Sequence, residues 1–279
     1  MNKILFSITA HENLRALSAQ IDNIRKFNDD SAVLVHLSAN MKLNQNDIYL
    51  IKSLSNEHII FNDRRIHTQR YKIASPQIVN IQFASKMSYE YLCMLTSNEC
   101  FFRRGAYEYM KQYDAGSYKL TSNESLLNQP KHRDACEFGI KLSGIRQTYT
   151  GQHEGTFYKK HIAENIADCI LNFCPIDRLH HLGDTTEEWI LPTALHLLYP
   201  STNIGYPVTL IRDRSPDITG SDAEQNMQKT IHFIETITKQ GQFDSTYVVQ
   251  NPINSIFSIK RVSRTNNNDP LLQYINQLT

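Results

Sequence analysis

The chain is short of the residues that break, staple or polarise a structure. Its 279 residues include 10 Gly and 9 Pro spread along the length, which excludes collagen-like, linker-rich and low-complexity chains. No internal repeat is present. Cysteines number 5, an odd set without a CxxC pair, and most sit in apolar surroundings such as Tyr91-Leu92-Cys93-Met94-Leu95. Reduced, buried thiols of a cytosolic protein are expected rather than disulfides or a zinc site. Neither sign of charge dominates. Lys plus Arg total 29 against 28 Asp plus Glu, so the net charge of +1 provides no field for nucleic acid or an anionic membrane.

Long apolar runs are missing too. Nothing approaches the roughly 18 to 20 residues of a membrane-spanning helix, and Ile4 to Ile8, interrupted by His11-Glu12-Asn13, reads as a first buried strand rather than a signal peptide. GxGxxG, GxxxxGK[ST], GxSxG, HExxH and the kinase signatures do not occur. Dinucleotide folds, P-loop enzymes and those hydrolase, protease and kinase classes are therefore excluded.

What is present is a chain 41% apolar and 20% charged, enough for a sizeable core in a single domain over residues 1–279. Strand and helix patterns alternate through the first hundred residues. Ile4 to Ile8 and Ala32 to Val35 read as strands flanking a helix on Leu14, Leu17, Ile21, Ile24 and Phe27. A helix over 44–54, a strand over 58–61, a helix over 75–89 and a strand over 91–95 follow. This alternation predicts an α/β fold, a largely parallel sheet covered by helices on both faces.

Beyond Thr96 the pattern becomes mixed α+β. Helices are expected over 105–112, 134–142 and 161–173, with a long polar loop from Gln147 to Tyr158. Thr186-Glu187-Glu188 opens an apolar helix to Leu198, capped by Thr185 or Thr186. Strands over 204–211, 247–250 and 256–262, a helix over 223–238 and a last helix from Asp269-Pro270 to Leu278 complete the expected order.

Parallel α/β sheets bind ligands beyond the carboxyl ends of their strands, so the polar segments 9–13, 37–40, 62–70 and 96–104 are the first places to look. His11 and His36 end neighbouring strands; without an acidic ligand at fixed spacing they read as hydrogen-bonding residues rather than a metal pair. Glu187 and Glu188 begin a helix. They are either partners of the helix dipole or a pair of which one carboxylate faces a cleft. Lys260 and Arg261, with Arg264 behind them, close a strand pattern; alternation sends the first two to opposite faces, so they are either a solvated strand end or one site residue and its neighbour.

Several of these segments stand in the order of a known family. The chain resembles the core-2/I-branching β-1,6-N-acetylglucosaminyltransferases and xylosyltransferases, most of all their short bacterial relatives. Lys3 to His11 is similar to the opening strand and histidine of that family, and Val33-Leu34-Val35-His36-Leu37 to its second strand. The loop 62–70, with Arg64, stands where the family has its arginine-bearing donor loop, with Ile66-His67-Thr68 replacing the usual aromatic and glycine pattern. Tyr91 to Arg103 resembles the strand and polar turn that place Ser97, Asn98 and Glu99. His153-Glu154-Gly155 resembles the acceptor-side loop, Glu187-Glu188-Trp189 the acidic pair and aromatic whose second acid is the catalytic base, and Phe257-Ser258-Ile259-Lys260 the late lysine that holds the donor diphosphate.

The resemblance implies a GT-A-like, nucleotide-sugar-binding sheet and a metal-independent, inverting transfer. Glu188 would be the base; His11, Arg64, Ser97, Asn98, Glu99, Glu154, Gly155, Trp189, Lys260, Arg261 and Arg264 would contact substrates. One feature of the sequence agrees independently: no Asp-x-Asp occurs to hold a metal on a diphosphate. Lys260 with Arg261 or Arg264 would then stabilise the leaving group. The expected partners are a nucleotide-sugar donor, UDP-linked, and a glycan or lipid-linked glycan acceptor such as bacterial capsule or lipopolysaccharide, with no metal cofactor and no nucleic acid. The expected location is the cytoplasm, with peripheral contact at the inner membrane face. Two other classes compete: a glycoside hydrolase, for which Glu99 and Glu188 would be the carboxyl pair, and a non-catalytic glycan-binding module.

Overall fold

Alternate positions along each strand pattern enter two different apolar clusters, Phe6, Val33, Tyr91 and Cys93 in one and Leu5, Leu34, Leu92 and Met94 in the other, as the two-residue period of a strand requires. A computed structural model describes residues 2–11, 13–68, 73–118, 120–121, 133–182, 185–210, 223–240, 252–260 and 270–278. Its first half alternates β1 (Asn2–Ala10), α1 (Leu14–Phe27), β2 (Ser31–Leu37), α2 (Gln45–Leu54), β3 (Ile59–Phe61), α3 (Ala74–Ala84) and β4 (Tyr89–Thr96). β5 (Glu99–Phe101), α4 (Ala106–Met110), β6 (Ala115–Gly116), β7 (Leu120–Thr121), α5 (Arg133–Ser143), β8 (Tyr149–Thr150), β9 (Phe157–Lys159) and α6 (Lys160–Phe173) follow. The chain closes with α7 (Glu187–Leu198), β10 (Ile204–Gly205), α8 (Ala223–Gln240), β11 (Ser258–Lys260) and α9 (Pro270–Gln277).

A seven-stranded sheet runs β10-β6-β9-β4-β1-β2-β3. Every neighbouring pair in it is parallel except those made by β9, which runs against both β4 and β6. The expected α/β class and its helix-covered sheet are what the structure contains. On one face α1 and the apolar sides of α8 and α9 cover Phe6, Val33 and Leu95; on the other, α3, α6 and α7 cover Leu5, Leu34 and Met94. Because both faces are covered, β1 and β2 are buried nearly throughout, and even their polar residues Ser7, Thr9, Ser31 and His36 are buried.

Several expected boundaries shift. The segment 147–158 is not one long loop: it ends in β9, whose three residues pair with Tyr91 to Cys93 on one side and with Ala115 and Gly116 on the other. α3 stops at Ala84 rather than near 89, because turn bonds from Lys86 and Met87 take up its last carbonyls. Only Ile204 and Gly205 of the expected strand 204–211 pair in the large sheet; Pro207, which has no N–H, breaks the ladder before Thr209 bridges to Ser258. Thr186 does not cap α7 through its side chain, since its hydroxyl donates back to the Leu182 carbonyl. Cys93, Cys100, Cys136 and Cys174 are buried free thiols and Cys169 is a half-buried one. The expected strand 247–250 lies outside the described residues. Among those that are described, no helix is long and apolar enough to cross a membrane.

Candidate functional site

The parallel register Thr9 to His36 and Thr9 to Thr96 brings the ends of β1, β2 and β4 to one edge of the sheet. Two buried amides on α1 fix the turn that follows β4: Gln20 donates to the Thr96 carbonyl (2.7 Å), and Asn23 both donates to the Phe101 carbonyl and accepts its N–H. Within the turn, Asn98 accepts from the Thr96 hydroxyl (2.8 Å), and the buried Ser97 hydroxyl has no hydrogen-bond partner among the described residues. Glu99 turns inward. Its carboxylate accepts from the Thr96 N–H (2.6 Å), the Thr96 hydroxyl (2.8 Å) and the Thr209 hydroxyl (2.9 Å). Burial raises its pKa, opposed by those bonds and by Lys260.

β11 then runs antiparallel to β5 with Lys260 opposite Glu99. Thr209 ties the two together, its hydroxyl sharing a hydrogen bond with Ser258 at 2.7 Å. Neither Thr209 nor Ser258 was expected here, although each is the lone polar residue between apolar neighbours in an extended stretch, and that pattern marks them.

The loop before β9 fills the remaining side. Gly155 donates to the Met94 carbonyl and accepts from Val208, both at short range (2.8 and 2.9 Å). Its φ of +71° is the left-handed region, and a Cβ there would lie 2.3 Å from the Thr209 hydroxyl oxygen, so no other residue fits without displacement. Gly155 therefore acts here through its backbone and its lack of a side chain. The adjacent Glu154, 5% exposed, pairs with Lys260, which is 13% exposed. Lys260 is thus not a solvated strand end. His153 is buried beside them; burial, and secondarily the Lys260 charge, lower its pKa to about 3 and keep it neutral.

The same loop reaches α7, where the Gly151 N–H donates to the Glu188 carbonyl (2.8 Å). The two acids at this helix start separate. Glu187 is buried and accepts the Ile73 N–H at 3.2 Å, supplying the N-terminus of α3 with the cap that Ile73 cannot provide itself. Glu188 is half-buried, with its N–H on the Thr185 carbonyl. Trp189 lies in the core: it is 3% exposed and its ring packs edge-on against Phe138, leaving no surface for a substrate.

Other expected residues lie apart. His11 follows β1 at the edge and is half-buried. His36 is fully buried and accepts the Ile66 N–H (3.0 Å); burial lowers its pKa to about 4, so it is a neutral acceptor and a support for the loop. Arg64 is exposed beyond β3, with its guanidinium 3.4 Å from Gln82. β3 is three strands from β4, roughly 14 Å along the edge. Arg65 is anchored on the Ser38 and Met41 carbonyls. Arg261 and Arg264 lie outside the described residues.

Burial raises the Glu187 pKa to about 7, with the Glu188 charge adding to the effect. A raised folded-state pKa means that between about pH 4.5 and 7 the folded chain holds a proton the unfolded chain has lost. Stability therefore falls as pH rises through that window and levels off above it, by on the order of 3 kcal/mol from this group. Denaturant unfolding of wild type and Glu187→Gln at pH 5 and pH 8 checks this. The variant should lose much of the wild-type decline, and identical slopes would refute the assignment.

No family model matches the chain, and no curated protein matches it. Two similar solved structures are an active-site mutant of LgtC, with 8% identity and TM-score 0.48 over 98% of this chain and 95% of that one, and the galactosyltransferase LgtC in complex with donor and acceptor sugar analogues, with 8% identity and TM-score 0.45 over 99% and 96%. Likeness of this degree says nothing about side chains or chemistry.

Proposed function

We propose that the chain is an inverting, metal-independent glycosyltransferase of GT-A-like layout that moves a sugar from a nucleoside diphosphate, UDP by preference, to a hydroxyl of a surface glycan. One observation carries the reading. The strand-end turn 96–99, the loop 151–156, Lys260 and the start of α7 with Glu188 form one hydrogen-bonded unit at the carboxyl edge of a mainly parallel sheet. That edge is where open α/β sheets hold ligands. The sequence resemblance would put donor diphosphate, acceptor loop and base on those same segments, which supports the reading.

The chemistry needs few groups. Glu188 takes the proton of the acceptor hydroxyl as its oxygen bonds to the anomeric carbon. The anomeric carbon–oxygen bond to the diphosphate breaks with its electron pair on the phosphate oxygen, and Lys260 stabilises the charge that grows there. The Ser97 hydroxyl, without a hydrogen-bond partner among the described residues, offers a further donor at the strand end. The hydrolase alternative is less well supported, because Glu99 is buried and its carboxylate is engaged by Thr96 and Thr209.

Calorimetry with a panel of nucleoside diphosphates tests the class: a glycosyltransferase binds at least one of them, whereas neither a hydrolase nor a glycan-binding module has reason to. With the donor known, turnover should persist in EDTA because the sequence has no Asp-x-Asp. Full loss in chelator with recovery on adding manganese would refute metal independence and leave the class standing.

A further inference from the structure

Two carboxylates face one lysine at this edge, and they are held very differently. Glu99 accepts from three donors on Thr96 and Thr209, which fix it in place. Glu154 gives one oxygen to Lys260, while its other oxygen is buried without a hydrogen-bond partner among the described residues. The neighbouring His153 Nδ1 stands 3.8 Å from it, beyond hydrogen-bond range, and its ring carries no charge to share. A buried pair with so little support recovers little of its desolvation cost.

We propose that Glu154 is the internal counter-ion of the diphosphate subsite: it neutralises Lys260 before the donor binds and must yield it to the anionic donor, so it sets how tightly the donor binds. This rests on the glycosyltransferase reading. A diphosphate brings more charge and more acceptor oxygens than one carboxylate, so it can replace Glu154 on Lys260, whose ammonium has three donors. Against that gain stand the broken ion pair and the repulsion between the freed carboxylate and the phosphates. The opposite role is also physical, since a carboxylate can hold a lysine in the orientation a ligand needs, and the two roles predict opposite signs.

The measurement is calorimetric affinity for the nucleoside diphosphate that binds best in the panel, with the corresponding nucleoside as an uncharged control. Glu154→Gln should bind the diphosphate about tenfold tighter or more, equivalent to about 1.4 kcal/mol, and the nucleoside unchanged. The gain should vanish in a Lys260→Met background, because the cation it releases is gone. A gain that persists there would come from the new amide itself and would overturn the proposal, as would unchanged or weaker binding by Glu154→Gln. If wild type and variant bind no diphosphate at all, the glycosyltransferase reading fails and this inference with it. Binding by wild type without the gain refutes only the counter-ion role. Glu154→Met carries the same expectation should the glutamine variant not fold.

Discussion

Glu188→Gln is expected to lower turnover by a factor of about 10² to 10⁴ while leaving affinity for the nucleoside diphosphate largely intact, the signature of a lost general base. The substitution keeps the size of the side chain. It also keeps the contacts that position this part of the helix, because Gly151 binds the Glu188 carbonyl and the Glu188 N–H binds the Thr185 carbonyl, both through the backbone. The loop carrying Glu154 should therefore stay in place. Glu187→Gln makes the contrast informative: its carboxylate accepts the Ile73 N–H in a buried setting, so its loss should appear in the pH dependence of stability rather than chiefly in the chemical step. Steady-state kinetics of both variants, with calorimetric titration of the diphosphate, separate the roles. Near-normal turnover in Glu188→Gln with abolished turnover in Glu187→Gln would place the base one residue earlier.

The elements legible in the sequence are those whose residues alone carry the period. β1, α1 and β2 follow from Ile4 to Ile8, from the Leu14 to Phe27 spacing and from Ala32 to Val35, because each buries a continuous run or one helical stripe. β9 was not legible. Its three residues adjoin a polar, glycine-bearing stretch, and it is a strand only because β4 and β6 pair with it from both sides. α7 shows the same limit at the site. The adjacent acids and Trp189 read as one motif, but this helix is apolar on most of its circumference and buried accordingly, so Trp189 joins the core while the acids diverge. The strand end that carries Lys260 was visible, yet its partner Glu154 lies 106 residues away and no local pattern joins them.

Replacing Lys260 should have two separable consequences. In Lys260→Ala the diphosphate loses a charge-assisted hydrogen bond of about 1.5 to 3 kcal/mol, so its affinity should fall roughly ten- to a hundredfold. Turnover should fall as well, because the charge on the leaving diphosphate grows in the transition state. The same substitution leaves Glu154, 5% exposed, as an uncompensated buried charge, a change that costs about 3 to 5 kcal/mol of stability where such pairs are broken from one side. The drop in affinity could then be mistaken for partial unfolding. The double variant Lys260→Met with Glu154→Gln removes that ambiguity: with the Glu154 charge gone as well, and Glu99 still held by Thr96 and Thr209, it should regain most of the lost stability in denaturant unfolding, yet its diphosphate affinity should stay below wild type because Lys260 is no longer there to meet the diphosphate. Restored affinity in the stable double variant would remove Lys260 from donor binding, and unchanged stability of Lys260→Ala would mean that the ion pair with Glu154 contributes nothing to the fold.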